Sequence, residues 1–447
     1  MSYEFDAVGN RTKRTDYEGR ETTYHYDNLN RLQNFKHITS AGSTIGGGIQ
    51  DYGASYNYDA LSRLTLAENY TGTVTFQYDN RNRVTQTQDV YGQTLNYAYD
   101  ENGNRTQLKL NNVVHTSYAY DAVNRLTTLT DDANQNFTFG YDVANKLTTK
   151  TLPNGVVTSY NYDGMNRLKE LKHQQGSTVL ADNNYSYNPA NQISNIAELT
   201  QTKTFGYDNV DRLTSMTSPT SLGENYSFDA VGNRTSSHLS SFYNYEANNR
   251  LRESETHTKL NYDYNGNPTE INRPDSTTTF TWDYENRMVT ANNGEIIKFE
   301  YDALGRRVYR HNTGNNETKM RYTYDGQDVV MDDDGSTITK YQNGLGIDNK
   351  LKLKTNGVSK YFLQDHLGST TALTNSSGSI VESATYDSFG NATGNLTTRY
   401  GYTGREFDAD LGLQYSRARW YDATVGRFIS EDPIGFAGGD VNLYAYV

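Results

Sequence analysis

The sequence predicts an all-β fold: a long antiparallel sheet of hairpins wound into a hollow, barrel-like or cocoon-like shell. Three observations predict it. An aromatic residue followed by Asp recurs along most of the chain, tyrosine is unusually abundant with 39 copies, and Gly or Asn stands where the chain must reverse tightly.

The repeat organises everything else. Aromatic-Asp pairs stand at Phe5-Asp6, Tyr26-Asp27, Tyr58-Asp59, Tyr78-Asp79, Tyr99-Asp100, Tyr120-Asp121, Tyr141-Asp142 and Tyr162-Asp163, and again from Tyr207-Asp208 to Tyr324-Asp325. Tyr187-Asn188 and Tyr245-Glu246 are degenerate copies. From Asp59 to Asp163 the steps are 20, 21, 21, 21 and 21 residues. That length fits two strands and two turns, so each unit is one hairpin.

Ahead of the Asp, Tyr97-Ala98-Tyr99 and Tyr118-Ala119-Tyr120 set both rings on one face, because side chains alternate along a strand. The rings fix the register, since a slip of one residue would exchange the aromatic and polar faces. Cross-strand ring pairs then contribute about 0.2 to 1 kcal/mol each.

After the Asp come two forms of turn, Asp-x-x-Gly-Asn-Arg at 100–105 and 229–234 and Asp-x-x-Asn-Arg-Leu at 27–32, 121–126 and 163–168. Asp can accept bonds from backbone N–H groups ahead of it, and Gly or Asn tolerates positive φ. The other hairpin end carries Asn154-Gly155, Gly92 or Gly19, which suit short connections.

Strands of about eight residues and roughly 36 of them give a ribbon about 26 Å tall and about 170 Å long. A sheet of that length twists and curls, and one turn of it is roughly 55 Å across, wider than side chains can fill. A one-layer wall would also explain a hydrophobic share of 34% and a mean hydropathy of -0.85. Positions 38–55, with Gly46-Gly47-Gly48, interrupt the period and read as a loop insertion; the Lys-Ser/Thr of a phosphate loop is missing.

Composition excludes several functions. A net charge of -12 opposes binding to nucleic acid or an anionic membrane surface. No apolar run approaches a membrane span, and no signal-peptide pattern opens the chain. With no cysteine, disulfides, thiol catalysis and cysteine-bound zinc are out, and no cofactor or metal site is expected. His366 reads as a turn residue, because no serine and acid converge on it. The run Asp332-Asp333-Asp334-Gly335 reads as a hairpin tip, lacking the ligand spacing of a calcium loop.

Beyond Asp325 the period fades and other motifs follow: Tyr361-Phe-Leu-Gln-Asp-His-Leu-Gly-Ser-Thr370, Tyr386-Asp-Ser-Phe-Gly-Asn391, Arg419-Trp-Tyr-Asp422 and Asp432-Pro-Ile-Gly435. In this order they resemble the Rhs-repeat-associated core domain, and the stretch before them resembles YD repeats. The expected domains are 1–325, a YD-repeat hairpin shell, and 326–447, the core domain, truncated at its C-terminal side.

The resemblance implies a cocoon that encloses a variable C-terminal toxin, as in bacterial Rhs effectors, the C component of insecticidal toxin complexes and, for the barrel alone, animal teneurins. Its cargo would be the protein's own toxin domain, absent from this chain, with a plug or delivery component of a secretion or toxin complex as a further partner. The implied location is secreted, exported or on the cell surface. In toxin members the core domain is an aspartyl autoprotease. Arg419 matches the Arg of the family's Arg-Tyr-Tyr-Asp stretch, with Trp420 in place of the first Tyr, and Asp432 matches the first Asp-Pro-x-Gly. A pair of carboxylates sharing one proton needs two acids. The family's second Asp-Pro-x-Gly lies past Asn442-Leu-Tyr-Ala-Tyr-Val447, so this chain is not expected to cleave itself, and both of its ends read as cut within a motif. The alternative function is adhesion or carbohydrate binding at a cell surface.

Overall fold

A computed structural model describes residues 1–38, 53–220, 222–314 and 317–446. The glycine-rich stretch Gly46-Gly47-Gly48 lies outside the described residues. Within each sheet the strands pair antiparallel with their neighbours in sequence. A 22-stranded sheet runs from Ser2–Phe5 to Arg234–Ser237, a two-stranded hairpin (Tyr243–Glu246 and Arg250–Ser254) follows, and a 14-stranded sheet runs from Lys259–Tyr262 to Ala392–Gly394. Four short strands, Glu406–Asp408, Leu413–Ser416, Arg419–Asp422 and Arg427–Phe428, close the chain. The second long sheet passes through residue 325 without a break, so the change of motif there does not interrupt the hydrogen bonding.

Most of the repeat turns share one set of backbone and carboxylate bonds. At Asp59 the backbone N–H donates to Arg63 O at 3.0 Å and Ser62 N–H donates to Asp59 O at 3.0 Å. Asp59 Oδ1 accepts from the N–H groups of Leu61 (2.9 Å) and Arg63 (3.0 Å), and Oδ2 accepts from Arg63 Nε at 2.6 Å. The third residue after the Asp is left-handed, with φ of 64° at Asn124 and 92° at Gly103, which is why Asn or Gly stands there.

The Arg also reaches forward. Arg63 Nη1 donates to Asp79 O in the next turn at 3.0 Å, and its guanidinium lies 4.7 Å from the centre of the Tyr78 ring. The Tyr78 hydroxyl donates back to Leu64 O at 2.7 Å. The same latch joins Arg83 to Asp100 and Tyr99, and Arg125 to Asp142 and Tyr141. In the Gly-Asn-Arg form, Asn104 takes the place of the Arg, donating to Asp100 Oδ2 at 2.9 Å and to Asn124 Oδ1 at 2.8 Å. Just before these turns the ladder shifts register at the aromatic residue, as at Tyr120, Tyr141 and Tyr162. Such bulges increase local twist and help the sheet to curl.

The two long sheets between them hold the number of strands that the repeat spacing predicts, but as two sheets and not one. The ladder is interrupted on either side of the short hairpin, between Arg234–Ser237 and Tyr243–Glu246 and between Arg250–Ser254 and Lys259–Tyr262. At the degenerate copy Tyr245-Glu246 the longer acid replaces Asp, the turn becomes a short 3-10 segment, and Asn248 and Asn249 both take positive φ. The strands on either side are only four or five residues long, and the ladder stops.

A second expectation is also corrected: the wall is not a single layer without a core. Winding brings the second sheet onto the first in the same order along the chain. Asn69 bonds Tyr301 O, Tyr91 bonds Val308 O, His115 bonds Tyr341 O, and Asn154 bonds Thr374. Apolar clusters span the contact: Leu129, Phe137 and Phe139 meet Leu351, Tyr361 and Leu363, while Leu95 and Leu108 meet Val330 and Met331. The tyrosines and alternate aliphatics on one face of each strand make this packing possible despite the polar composition.

Candidate functional site

The last four strands carry the site. Leu413–Ser416 and Arg419–Asp422 form a tight hairpin, with Arg417 left-handed at φ 59°, and Arg427–Phe428 pairs on the far side. Residues 442–446 then run back beside them: Phe428 N–H donates to Tyr444 O at 3.0 Å and Asp432 N–H donates to Leu443 O at 2.9 Å. Tyr444 is fully buried, its hydroxyl donating to Gly266 O at 2.9 Å.

Arg419 and Asp432, the two residues the sequence singles out, are brought together here. Arg419 Nη2 lies 2.9 Å from Asp432 Oδ2, Nη1 donates to Leu443 O at 3.2 Å, and the guanidinium sits 3.6 Å from the centre of the Phe428 ring. Asp432 Oδ1 accepts the Ile434 N–H at 3.0 Å, and Gly435 N–H donates to Asp432 O at 2.9 Å, so Asp-Pro-Ile-Gly forms a turn around the carboxylate. Burial pulls the Arg419 guanidinium down, with Asp432 opposing it.

The pair borders a cavity of about 740 Å³. Phe139, Leu147, Lys150 and Tyr160 of the first sheet line one side, and Asp348, Gln364, Asp365 and His366 of the second line another. Arg405, Phe428, Ile434 and Tyr446 complete the side that holds Arg419 and Asp432. A neighbouring cavity of about 510 Å³ shares Gln364, Asp365, His366 and Leu367 and is lined largely by apolar side chains such as Ile193, Phe205 and Met216.

His366 sits in a turn of the repeat type: Asp365 Oδ1 accepts the N–H groups of Leu367 (2.9 Å) and Ser369 (2.8 Å), and the His366 ring packs 5.0 Å from that of Tyr185. Burial raises the Asp365 carboxyl and lowers the His366 imidazole. In the acidic run, Asp334 and Gly335 form a hairpin tip, where Asp333 Oδ1 accepts the Gly335 N–H at 2.8 Å; Asp332 instead pairs inside the sheet with Arg399.

Sequence reasoning missed a clasp behind the site. Asp422, last of the Arg-Trp-Tyr-Asp stretch, is fully buried and lies 2.9 Å from His257 Nε2 and 3.0 Å from Arg273 Nη2. Burial alone would raise its carboxyl, but the charges and hydrogen bonds of His257 and Arg273, with the Thr424 hydroxyl, outweigh it and hold the group well below the usual carboxylate range. His257 stands at the break between the long sheets, 165 residues from Asp422, a separation that no local spacing rule detects.

Latched hairpins in two wound sheets, with a closing segment that carries its own Asp-Pro-Ile-Gly turn, define a shell wall of the YD-repeat type. The sequence families agree: the RHS Repeat model matches residues 5–44 and 141–178, and the Teneurin YD-shell model matches residues 347–438. By these matches and by its motif order the chain is similar to the YD-repeat proteins of the Rhs family. It is similar to the tRNA3(Ser)-specific nuclease WapA of Bacillus spizizenii, at 32% identity over 203 residues, 42% of this chain and 8% of that protein. It is similar also to the double-stranded DNA deaminase toxin A of Burkholderia cenocepacia, at 26% identity over 305 residues, 59% of this chain and 21% of that protein. The matches thus span only a small part of either relative's length. Among solved structures, the crystal structure of TcdB2-TccC3-Cdc42 superposes with a TM-score of 0.83 at 17% identity, covering 100% of this chain and 27% of that one, a likeness of fold. Among the described residues no helix is long and apolar enough to cross a membrane.

Proposed function

We propose that this chain is wall of a container for a polypeptide toxin, the toxin being a C-terminal domain of the same protein, exported or displayed at the cell surface with a plug or delivery component. Residues 1–325 serve as the repeat shell and 326–447 as the core domain. The observation that supports this most is the cavity bounded by both sheets and by the segment holding Arg419 and Asp432. A wound wall whose closing motifs border a cavity suits a protein that handles a polypeptide within.

On this reading Arg419 and Asp432 supply the arginine and one carboxylate of an aspartyl autoprotease. Two carboxylates must share a proton for that chemistry. No second Asp-Pro-x-Gly occurs in the 447 residues, so this stretch by itself stays intact. The test is a reporter polypeptide fused after Val447 and challenged with protease. Protection of the reporter relative to its free form supports the container; equal digestion sinks it. Mass spectrometry of the unfused chain checks the second part, since self-cleavage abolished by Asp432→Asn would show that the dyad is already complete.

A further inference from the structure

One charged side chain on the larger cavity has no use in the reading above. Lys150 lies in the strand Leu147–Thr151, opposite Phe139 on one neighbouring strand and Thr158 on the other. It is 4% exposed and lines the cavity. The cavity's other cations are paired: Arg405 lies 3.1 Å from Asp348, and Arg419 lies 2.9 Å from Asp432. Lys150 makes no ion pair with any described residue.

The chain's other buried lysines show what is missing. Lys352 pairs with Asp131, and Lys350 donates to Val329 O at 2.9 Å and Asn343 Oδ1 at 2.8 Å, with Asp328 3.9 Å away. The titratable group that Lys150 acts on is no counterion: burial and the Lys150 charge push the His173 imidazole down to about 4, so it is neutral at pH 7. Asp365 and His366 face the same cavity, but Asp365 is occupied by its own turn. Burial, with no carboxylate opposing it, pulls the Lys150 ammonium down to about 8. A buried unpaired ammonium is costly, and an arriving anion relieves that cost.

We propose that Lys150 anchors a carboxylate-binding subsite: the cavity takes a carboxylic acid carried on an apolar body, the carboxylate pairing with Lys150 Nζ and the body lying against Phe139, Leu147 and Tyr160. The acid is either an acidic side chain of an enclosed polypeptide, which rests on the container reading, or a free small acid, which does not.

The test uses the full chain. Trace acetic anhydride labels lysines between pH 6 and 11, and peptide mass spectrometry reads Lys150 against exposed Lys36. Two pairs of probes are added: 4-phenylbutyrate against its amide, and a capped Leu-Phe-Asp-Leu peptide against its Asn form. Binding of the same probes is measured by calorimetry on the chain and on Lys150→Met, which removes the buried charge and so preserves the fold. The acid forms are expected to cut Lys150 labelling at pH 8 about fivefold, the effect of raising its pKa from about 8 by about one unit, with Lys36 unchanged and binding lost in Lys150→Met. A response to the peptide alone assigns the site to an enclosed polypeptide; a response to phenylbutyrate alone assigns it to a free acid, whatever becomes of the reporter experiment. No response to either acid, an equal response to the amides, or undiminished binding by Lys150→Met overturns the proposal.

Discussion

Replacing Lys352 by Met should loosen the contact between the two long sheets. Lys352 is 1% exposed and its partner Asp131 2%, and the pair joins a strand of the second sheet to a turn of the first. Asp131 Oδ1 already accepts the N–H groups of Ala133 (2.8 Å) and Gln135 (2.9 Å), and Lys352 Nζ also donates to Gln135 Oε1 at 3.2 Å. Met preserves the length and apolar stem of the lysine but leaves the Asp131 carboxylate buried without its counter-charge. Breaking a buried pair from one side costs about 3 to 5 kcal/mol. Adding Asp131→Asn should recover much of that loss, because the Asn oxygen still accepts from both N–H groups and no charge remains. Urea unfolding followed by near-UV circular dichroism measures the totals. In a repeat array each unit couples mainly to its neighbours, so hydrogen exchange should quicken in Leu126–Asp131, Asn136–Tyr141 and Lys350–Thr355 and hardly at all near Ser2–Phe5. A loss below about 1 kcal/mol in the single variant, or a double variant no better than the single, would refute the reasoning.

Four further outcomes are expected. Asn124→Gly should be nearly neutral while Asn124→Val costs about 1 to 2 kcal/mol, since φ there is 64° and only the valine must force a β-branched side chain into the left-handed region; unfolding midpoints of the two variants compare them. Tyr99→Phe should cost about 0.5 to 1.5 kcal/mol by removing the hydroxyl that donates to Val84 O at 2.7 Å, and an unchanged midpoint would show the latch to be idle. Asp422, whose folded-state carboxyl is held below its unfolded value, adds stability that is fully present above about pH 4 and is lost only as pH falls through the lower folded value. The gap between the chain and Asp422→Asn should therefore be constant from neutral pH to about 5 and shrink in stronger acid, and a gap that widened on acidification would contradict it. Arg419→Lys should free residues 442–446, because a lysine cannot hold Asp432 and Leu443 O at once while lying on the Phe428 ring; faster amide exchange at Tyr444 is the readout.

The repeat made the local architecture legible. Spacing of the aromatic-Asp pairs gives the hairpins, their number and their antiparallel order, and the Asn or Gly at the third turn position announces a positive φ that the structure contains. The turn's second half was harder to read. Arg63 and Asn104 occupy the same place after the Asp, yet in sequence they look like members of two different motifs. What unites them is a bond across to the next turn, which a linear pattern does not display. At the site, motif order singled out Arg419 and Asp432, and the fold sets them 2.9 Å apart. The Asp422 and His257 clasp and the Lys352 and Asp131 pair stayed hidden, because their partners are 165 and 221 residues apart and winding alone brings them together.

Winding also resolves the apparent conflict between a mean hydropathy of -0.85 and a large folded body. A tyrosine in the Tyr-Asp position such as Tyr141 lies under one arginine, satisfies a backbone carbonyl with its hydroxyl, and packs its ring against an apolar cluster. One side chain thereby fills roles that in an aliphatic core need several, so the chain can place few apolar residues in its turns and concentrate Leu, Val and Phe where the sheets meet. The consequence for the larger cavity is chemical: it sets Lys150, Asp348, Asp365, Arg405, Arg419 and Asp432 beside apolar Phe139, Leu147, Phe428 and Ile434, a lining that offers charge and hydrogen bonds together with apolar contact.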